Sequence, residues 1–277
     1  MSNLILQFKK ICTSIGFYLC IFLTVLLLFS TEIYTDYLTN DRYSVFRALT
    51  SFSAEERLAV GEEMCSARIL SSALNGWFAL FTPIAAAFCF IPIICTEREE
   101  NAVRFQMFRS SKIKYNATQF LAGIISSGTA VTLGYLIFSA VAMITFPDIS
   151  QFDEMTAEHI KMWSQSLPML LIRVWCFGAF WGTPAMLLSS VIRNKYIVMC
   201  LPFFLKYGLG QAYLTAISNA IKGDVNENLL KILSFFSPDG LLGSSPWYQK
   251  AAVFGGLAII FFAAYMIITA KRGDSGA

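Results

Sequence analysis

Ala117 to Phe146, ATQFLAGIISSGTAVTLGYLIFSAVAMITF, is the stretch whose reading decides the fold. About 20 mostly apolar residues in a helix cross the hydrocarbon of a bilayer. This run is longer than that, so it tilts or protrudes beyond the hydrocarbon. Working outward, five further runs meet the same criterion: Ile11 to Thr31, Trp77 to Cys95, Leu167 to Ile192, Tyr196 to Ile217 and Ala251 to Ala270. Composition agrees. Only 14% of the residues are charged and 56% are hydrophobic, with a mean hydropathy of +0.59. A soluble domain carries roughly a quarter charged residues. The expectation is a single all-α transmembrane domain over residues 1–277, with about six spans.

Lysine and arginine set the orientation of such a chain. With the N-terminus inside, the cytoplasmic segments hold eleven of them, from Lys9 and Lys10 through Arg98, Arg104, Arg109, Lys112 and Lys114 to Lys271 and Arg272. The outside segments, more than twice as long, hold eight. Both termini are therefore expected in the cytoplasm. The first run is longer than a signal-peptide core and lacks a small-residue cleavage site, so it reads as a retained helix.

Three outside segments stand apart. Ile33 to Gly76 contains Ser53-Ala-Glu-Glu56, a capping-box pattern that predicts short surface helices. Pro147 to Ser166 reads as helical after Thr156. In Asn219 to Lys250 the apolar run Leu229 to Phe236 is too short to span and is interrupted by Lys231. It suits a re-entrant or interfacial hairpin.

Several functions are disfavoured. The net charge of +3 is too small to suggest a nucleic-acid partner. The seven cysteines form no close pair and read as apolar filler rather than metal ligands or a disulfide framework. His159, the one histidine, reads as a solvated loop residue. There is no HExxH, no intramembrane aspartate pair and no GxSxG with a histidine partner, so a membrane-embedded enzyme is not indicated. Nor are there the inverted repeats or paired broken helices of a secondary transporter.

The informative segment is Cys95-Thr-Glu-Arg-Glu-Glu-Asn-Ala-Val-Arg-Phe-Gln-Met-Phe-Arg-Ser-Ser-Lys-Ile-Lys114. Thr96 and Glu99 have capping-box spacing, which predicts a helix start as the second span ends. Glu97, Glu99 and Glu100 crowd the first turn, where the helix dipole favours anions. Val103 and Met107, and Phe105 and Phe108, then make a short amphipathic helix flanked by Arg104 and Arg109. Such a helix lies on the inner leaflet among anionic head groups, or docks its aromatics into a groove on a cytoplasmic partner.

This segment resembles the loop between the second and third spans of ABC-2-type transporter permeases. There an acidic E-x-E-x-G-T-like run precedes a short coupling helix and a basic exit. Glu97, Glu99 and Glu100 match the acidic run, Arg104 to Phe108 the coupling helix, and Ser110 to Lys114 the exit. Asn101 and Ala102 stand where the family has Gly-Thr, and Arg109 where proline is frequent. Phe236-Ser237-Pro238 before the last span is also similar to a family feature.

The resemblance implies a permease subunit of a bacterial plasma-membrane exporter, moving a peptide, drug-like or lipid-linked substrate. Two permease chains, identical or paralogous, would pair above two ATPase subunits. This chain has no GxxxxGK[ST] loop. It would bind no cofactor itself, and ATP and Mg would sit on the partner, coupled through Glu97, Glu99, Glu100, Arg104, Phe105 and Phe108. The rival is an unpartnered immunity or sensor protein that binds a peptide or lipid.

Two cations fall within spans. Lys206 sits deep in the fifth and is either a pathway group or a lysine reaching a carbonyl or the interface. Arg173, nearer the outer end of the fourth, is likewise either a pathway group or, the favoured reading, a snorkelling side chain. Pro83, Pro92, Pro184 and Pro202 interrupt spans, and Gly178 with Gly182 leaves a small face for close helix contact.

Overall fold

The computed structural model describes residues 2–36, 40–99, 111–163, 165–221, 241–242 and 247–274. Among the described residues five helices are long and apolar enough to cross a membrane, or six if the bent pair at the N-terminus is one span. The chain is thus compatible with an all-α, multi-pass membrane protein. The apolar run Leu229 to Phe236 and the Phe236-Ser237-Pro238 motif lie outside the described residues.

The first run is not one helix. Helix α1 (Ser2–Cys12) meets α2 (Ile15–Ser30) at a bend of 58°. Ser14 causes the break, because its hydroxyl accepts from the Phe17 amide at 3.2 Å and caps a new helix. Ile11 therefore belongs to the helix before the bend, not to the span predicted from Ile11.

The segment before the second run holds more than the predicted surface helices. A two-stranded hairpin comes first, β1 (Glu32–Thr35) antiparallel to β2 (Arg42–Ser44), with Tyr34 opposite Tyr43. Their rings lie 5.9 Å apart, and Phe52 packs on Tyr43. Short helices α3 (Val45–Ser51), α4 (Ala54–Val60) and α5 (Ser66–Ser72) follow. The capping box before α4 is formed in both directions: Ser53 N–H donates to Glu56 Oε2 at 2.7 Å, and Glu56 N–H to Ser53 Oγ at 3.3 Å.

The second span is α6 (Trp77–Phe88) followed by α7 (Ile91–Glu99). Proline has no N–H, so Pro92 offers nothing to the carbonyl four residues back, that of Phe88. Gly16 of α2 closes on that carbonyl, and any Cβ at position 16 would collide with it. Pro92 stands in the first turn of α7, where proline suits a helix start. Helix α7 is therefore already formed at Thr96, whose hydroxyl donates back to the Pro92 carbonyl at 2.9 Å. The helix start predicted at Thr96 is corrected: the local capping pattern is overridden by Pro92.

Helix α8 (Lys112–Thr145) is the central post, on which α1, α2, α5 and α6 pack. The bundle is completed by α9 (Glu154–Trp163), α10 (Leu167–Val191), α11 (Lys195–Ile221) and α12 (Trp247–Asp274). Helix α9 begins two residues before Thr156, behind Asp153, whose carboxylate accepts from the Thr156 amide. Without water, helix association in lipid relies on close packing of small residues. Gly178 and Gly182 of α10 lie against Val131, Gly128 and Ser127 of α8, and Ser127 Oγ donates across to the Gly178 carbonyl at 3.2 Å. The predicted small-residue face is the α8–α10 contact. By contrast α11 and α12 turn apolar side chains such as Phe204 and Ile259 outward, as chains solvated by lipid do.

Polar contacts hold the hairpin end. Arg57 donates to the Thr145 carbonyl at 2.5 Å, at the C-terminus of α8, and its guanidinium lies over the Phe146 ring. A cation there satisfies the orphan carbonyls of the last turn. His159 of α9 is not isolated, since its Nδ1 lies 2.6 Å from Glu62 Oε2, while Arg68 donates to Glu62 Oε1 at 2.9 Å. The hydrogen bond from His159, with the Arg68 charge beside it, holds the Glu62 carboxyl below the usual range. Its stabilisation is therefore present above the ordinary carboxylate range and lost as pH falls through the lowered folded value. Hydrogen exchange of α9 should accelerate over that acidic window in the wild type. In Glu62→Gln the acceleration should be absent, and an unchanged profile would refute the linkage.

Candidate functional site

The residues flanking the 100–110 segment gather at one end of the bundle. Lys10, near the end of α1, forms an ion pair with the buried Glu97 carboxylate near the end of α7. Its neighbour Arg98 donates through Nη1 to the Ser189 carbonyl in the last turn of α10. Arg98 also lies within electrostatic reach of Tyr265 of α12. Tyr265 donates its hydroxyl to Gln119 Oε1 of α8 at 3.1 Å. Gln119 Nε2 donates to the Tyr115 hydroxyl at 3.4 Å, and the Gln7 side chain of α1 lies beside that hydroxyl. Beside this network Lys112 donates to the Ala270 carbonyl at 2.7 Å, joining the start of α8 to the end of α12.

Each link has a local reason. Carbonyls of a helix's last turn lack intrahelical donors, and arginine or lysine suits the negative end of the dipole. Buried hydroxyl and amide groups need partners, and here Gln119 meets Tyr115 on its own helix and Tyr265 on α12. The result is a polar clasp in which α1, α7, α8, α10 and α12 are tied together where the chain leaves α7 and re-enters α8.

Of the residues singled out from sequence, Glu97 is in this clasp. Glu99 closes α7 as its last residue. Glu100, Arg104, Phe105 and Phe108 lie outside the described residues. Lys10, Arg98, Gln119 and Tyr265 were not singled out. Their signal was available as polar groups within or beside apolar runs, but their pairing is between distant parts of the chain. Among the described residues no group of three or more His, Cys, Asp or Glu is placed to hold a metal ion.

The two cations within apolar helices, Arg173 of α10 and Lys206 of α11, both lie against one face of α10. Arg173, Phe177 and Trp181 are spaced i, i+4, i+8, so their side chains line up. Arg173 is buried, donates through Nη1 to Gln165 just before α10, and lies with its guanidinium 5.6 Å from the Trp247 ring. It reaches toward the end of its own helix, as snorkelling requires, but under an aromatic cover. Lys206 of α11 is also buried, its Nζ 5.0 Å from the Phe177 ring and 5.9 Å from Trp181. An ammonium over aromatic faces is attracted by their quadrupoles.

Lys206 also lines a cleft of about 650 Å³ between α6 and α11. Glu32, Arg42 and Asn75 are at its hairpin end, with Trp77, Leu80, Tyr207 and Leu214 along its walls. A near-parallel ring stack, Trp77–Phe81–Phe203–Tyr207, joins the two helices beside it. Glu32 and Arg42 pair at 3.3 Å.

Compared with family models, curated proteins and solved structures, the chain matches none of them.

Proposed function

We propose that this chain is the membrane subunit of an ATP-driven exporter of the ABC-2 type, with six spans and both termini in the cytoplasm. In this reading the run Leu229 to Phe236 is a re-entrant or interfacial segment on the outer side, in a bacterial plasma membrane. The chain would bear no nucleotide chemistry of its own. A separate ATPase subunit would bind ATP and Mg, and a second permease chain would complete the pathway.

The observation that supports this reading is the clasp around Glu97 and Arg98. A ligand changes a conformational equilibrium only through differential affinity for the two states. An ATPase that closed on ATP would act on the segment from Glu97 to Phe108. The clasp would carry that displacement into α1, α8, α10 and α12 together rather than into one helix. Arg104, Phe105 and Phe108 would form the docking face, and Glu99 and Glu100 would add acidic contacts.

Affinity capture of the tagged, solubilised chain from its native host tests the reading. Wild type should recover an ATP-binding subunit, and Phe105→Asp should lower that recovery at least about ten-fold, since a charge buried at an interface anchor costs several kcal/mol. Equal recovery by both would reject the docking role of Phe105. Recovery of no ATPase by folded wild type would reject the exporter reading and favour an unpartnered immunity or sensor protein.

A further inference from the structure

The cleft between α6 and α11 is walled by rings whose orientation the fold already sets. Phe81 of α6 and Phe203 of α11 stack across the two helices, 5.1 Å apart and 12° from parallel. Trp77, one turn before Phe81, stacks on it at 20°, and Tyr207, one turn after Phe203, stacks on it at 21°. Trp77 and Tyr207 both line the cleft, so the helices run antiparallel here and turn the two end rings of the stack to one side. These end rings are left about half uncovered, Trp77 46% and Tyr207 48% exposed. The side-chain amides of Asn75 and Gln211 belong to exposed residues of the same cleft, and each amide offers both donors and an acceptor. A volume of about 650 Å³ lies in the usual range for small-ligand sites.

We propose that this cleft binds a flat aromatic molecule with hydrogen-bonding groups at its edge. Its ring system continues the stack at Trp77 and Tyr207, and its edge meets the Asn75 and Gln211 amides. An acyl chain in the same space gains buried area alone, whereas a flat ring adds offset stacking on faces already in place. Because the stack fixes both side chains beforehand, little of that gain is lost in ordering them, and a rigid ligand loses little freedom of its own. The recognition needs no net charge, so it is independent of what Lys206, Arg42 and Glu32 engage. That such a molecule is cargo rests on the exporter reading, whereas binding itself does not.

Uncharged probes make the test direct. The whole chain in nanodiscs is dialysed to equilibrium against 2-aminoanthracene at neutral pH, with empty nanodiscs as the reference for partition into lipid. Wild type should add a saturable component to the linear partition. 2-Naphthol should displace the probe at about ten-fold lower concentration than trans-2-decalol, its saturated counterpart. Trp77→Ala and Tyr207→Ala should each weaken probe binding about ten-fold. Trp77→Phe and Tyr207→Phe keep a ring and should stay within about three-fold of wild type. Gly210→Leu guards against a misfolded alanine variant, because Gly210 lines the cleft and a Cβ there meets nothing within 4 Å. Leucine at that position should fill the cleft without disturbing packed helices and abolish the saturable component.

No saturable binding by wild type, or saturable binding that survives Gly210→Leu or both alanine variants unchanged, would overturn the proposal. Displacement by decalol and naphthol at equal concentration would also overturn it, and would mark a groove for an acyl chain instead. Saturable binding by a chain that captures no ATPase would remove only the cargo role. Capture of an ATPase without saturable binding would remove only the cleft.

Discussion

Gly178→Leu should lower the stability of the detergent-solubilised chain by about 3 kcal/mol, the upper end of the usual range for overpacking. A Cβ at position 178 would lie 2.9 Å from Val131 Cβ and 3.4 Å from Gly128 Cα. The first is the clash, and Val131 Cβ is bonded to the backbone, so it cannot swing aside as a side-chain tip does. The rest of a leucine would then force α10 away from α8 and break the Ser127 hydroxyl bond to the Gly178 carbonyl. A loss of that size lowers Tm by roughly 6–12 °C. Gly255→Leu is the matched control, since a Cβ at Gly255 of α12 meets nothing within 4 Å. Leucine also forms helix better than glycine. Its Tm should stay within about 2 °C of wild type. A similar fall for both variants would show that the α8–α10 contact is not what the glycine protects.

Glu97→Lys should have a comparable effect through a different mechanism. The carboxylate is buried and paired with Lys10, whose side chain is 37% exposed. Removing one partner of a fully buried ion pair costs about 3–5 kcal/mol. Partial exposure of Lys10 reduces that here, while reversing the sign adds a like-charge repulsion, so about 3 kcal/mol is expected in sum. The pairing predicts its own rescue. Lys10→Glu combined with Glu97→Lys should recover more than half of the lost Tm, whereas Lys10→Glu alone should be destabilising. If the double variant is no better than Glu97→Lys, the coupling between the two side chains is negligible and the clasp depends on Arg98 instead.

What could be read in advance divides by the range of the interactions. The spans were legible because a bilayer imposes length and apolarity on each helix separately. The capping box at Ser53 and Glu56 was legible for a similar reason, since both partners lie within one turn. The same local pattern at Thr96 and Glu99 misled, because Pro92 had already started the helix upstream. The hairpin was missed because its strands are three and four residues long, and the pairing of Tyr34 with Tyr43 depends on a turn with no strong signature. The bend at Ser14 was hidden in an apolar run that hydropathy treats as continuous.

The candidate site was less legible than the fold. Glu97 and Lys206 were identifiable as charged groups beside or within apolar runs. Their partners were not, because Lys10, Ser189 and Tyr265 are near Glu97 and Arg98 only after the bundle assembles. His159 illustrates the limit from the other side. It lies in a polar segment as expected, yet reaches Glu62 on an element far away in sequence.

The interruption between α6 and α7 gives the second span a graded compliance. An unbroken helix resists bending because every turn must stretch hydrogen bonds on its convex side. Pro92 has already omitted one of those bonds, to the Phe88 carbonyl. Bending at that level costs less than bending in a turn whose hydrogen bonds are complete. The half from Trp77 to Phe88 is thereby less stiffly joined to the half that bears Glu97. Tilting of α7 at the clasp end therefore distorts α6 less than it would in an unbroken helix, and the joint lies where Gly16 presses against the Phe88 carbonyl.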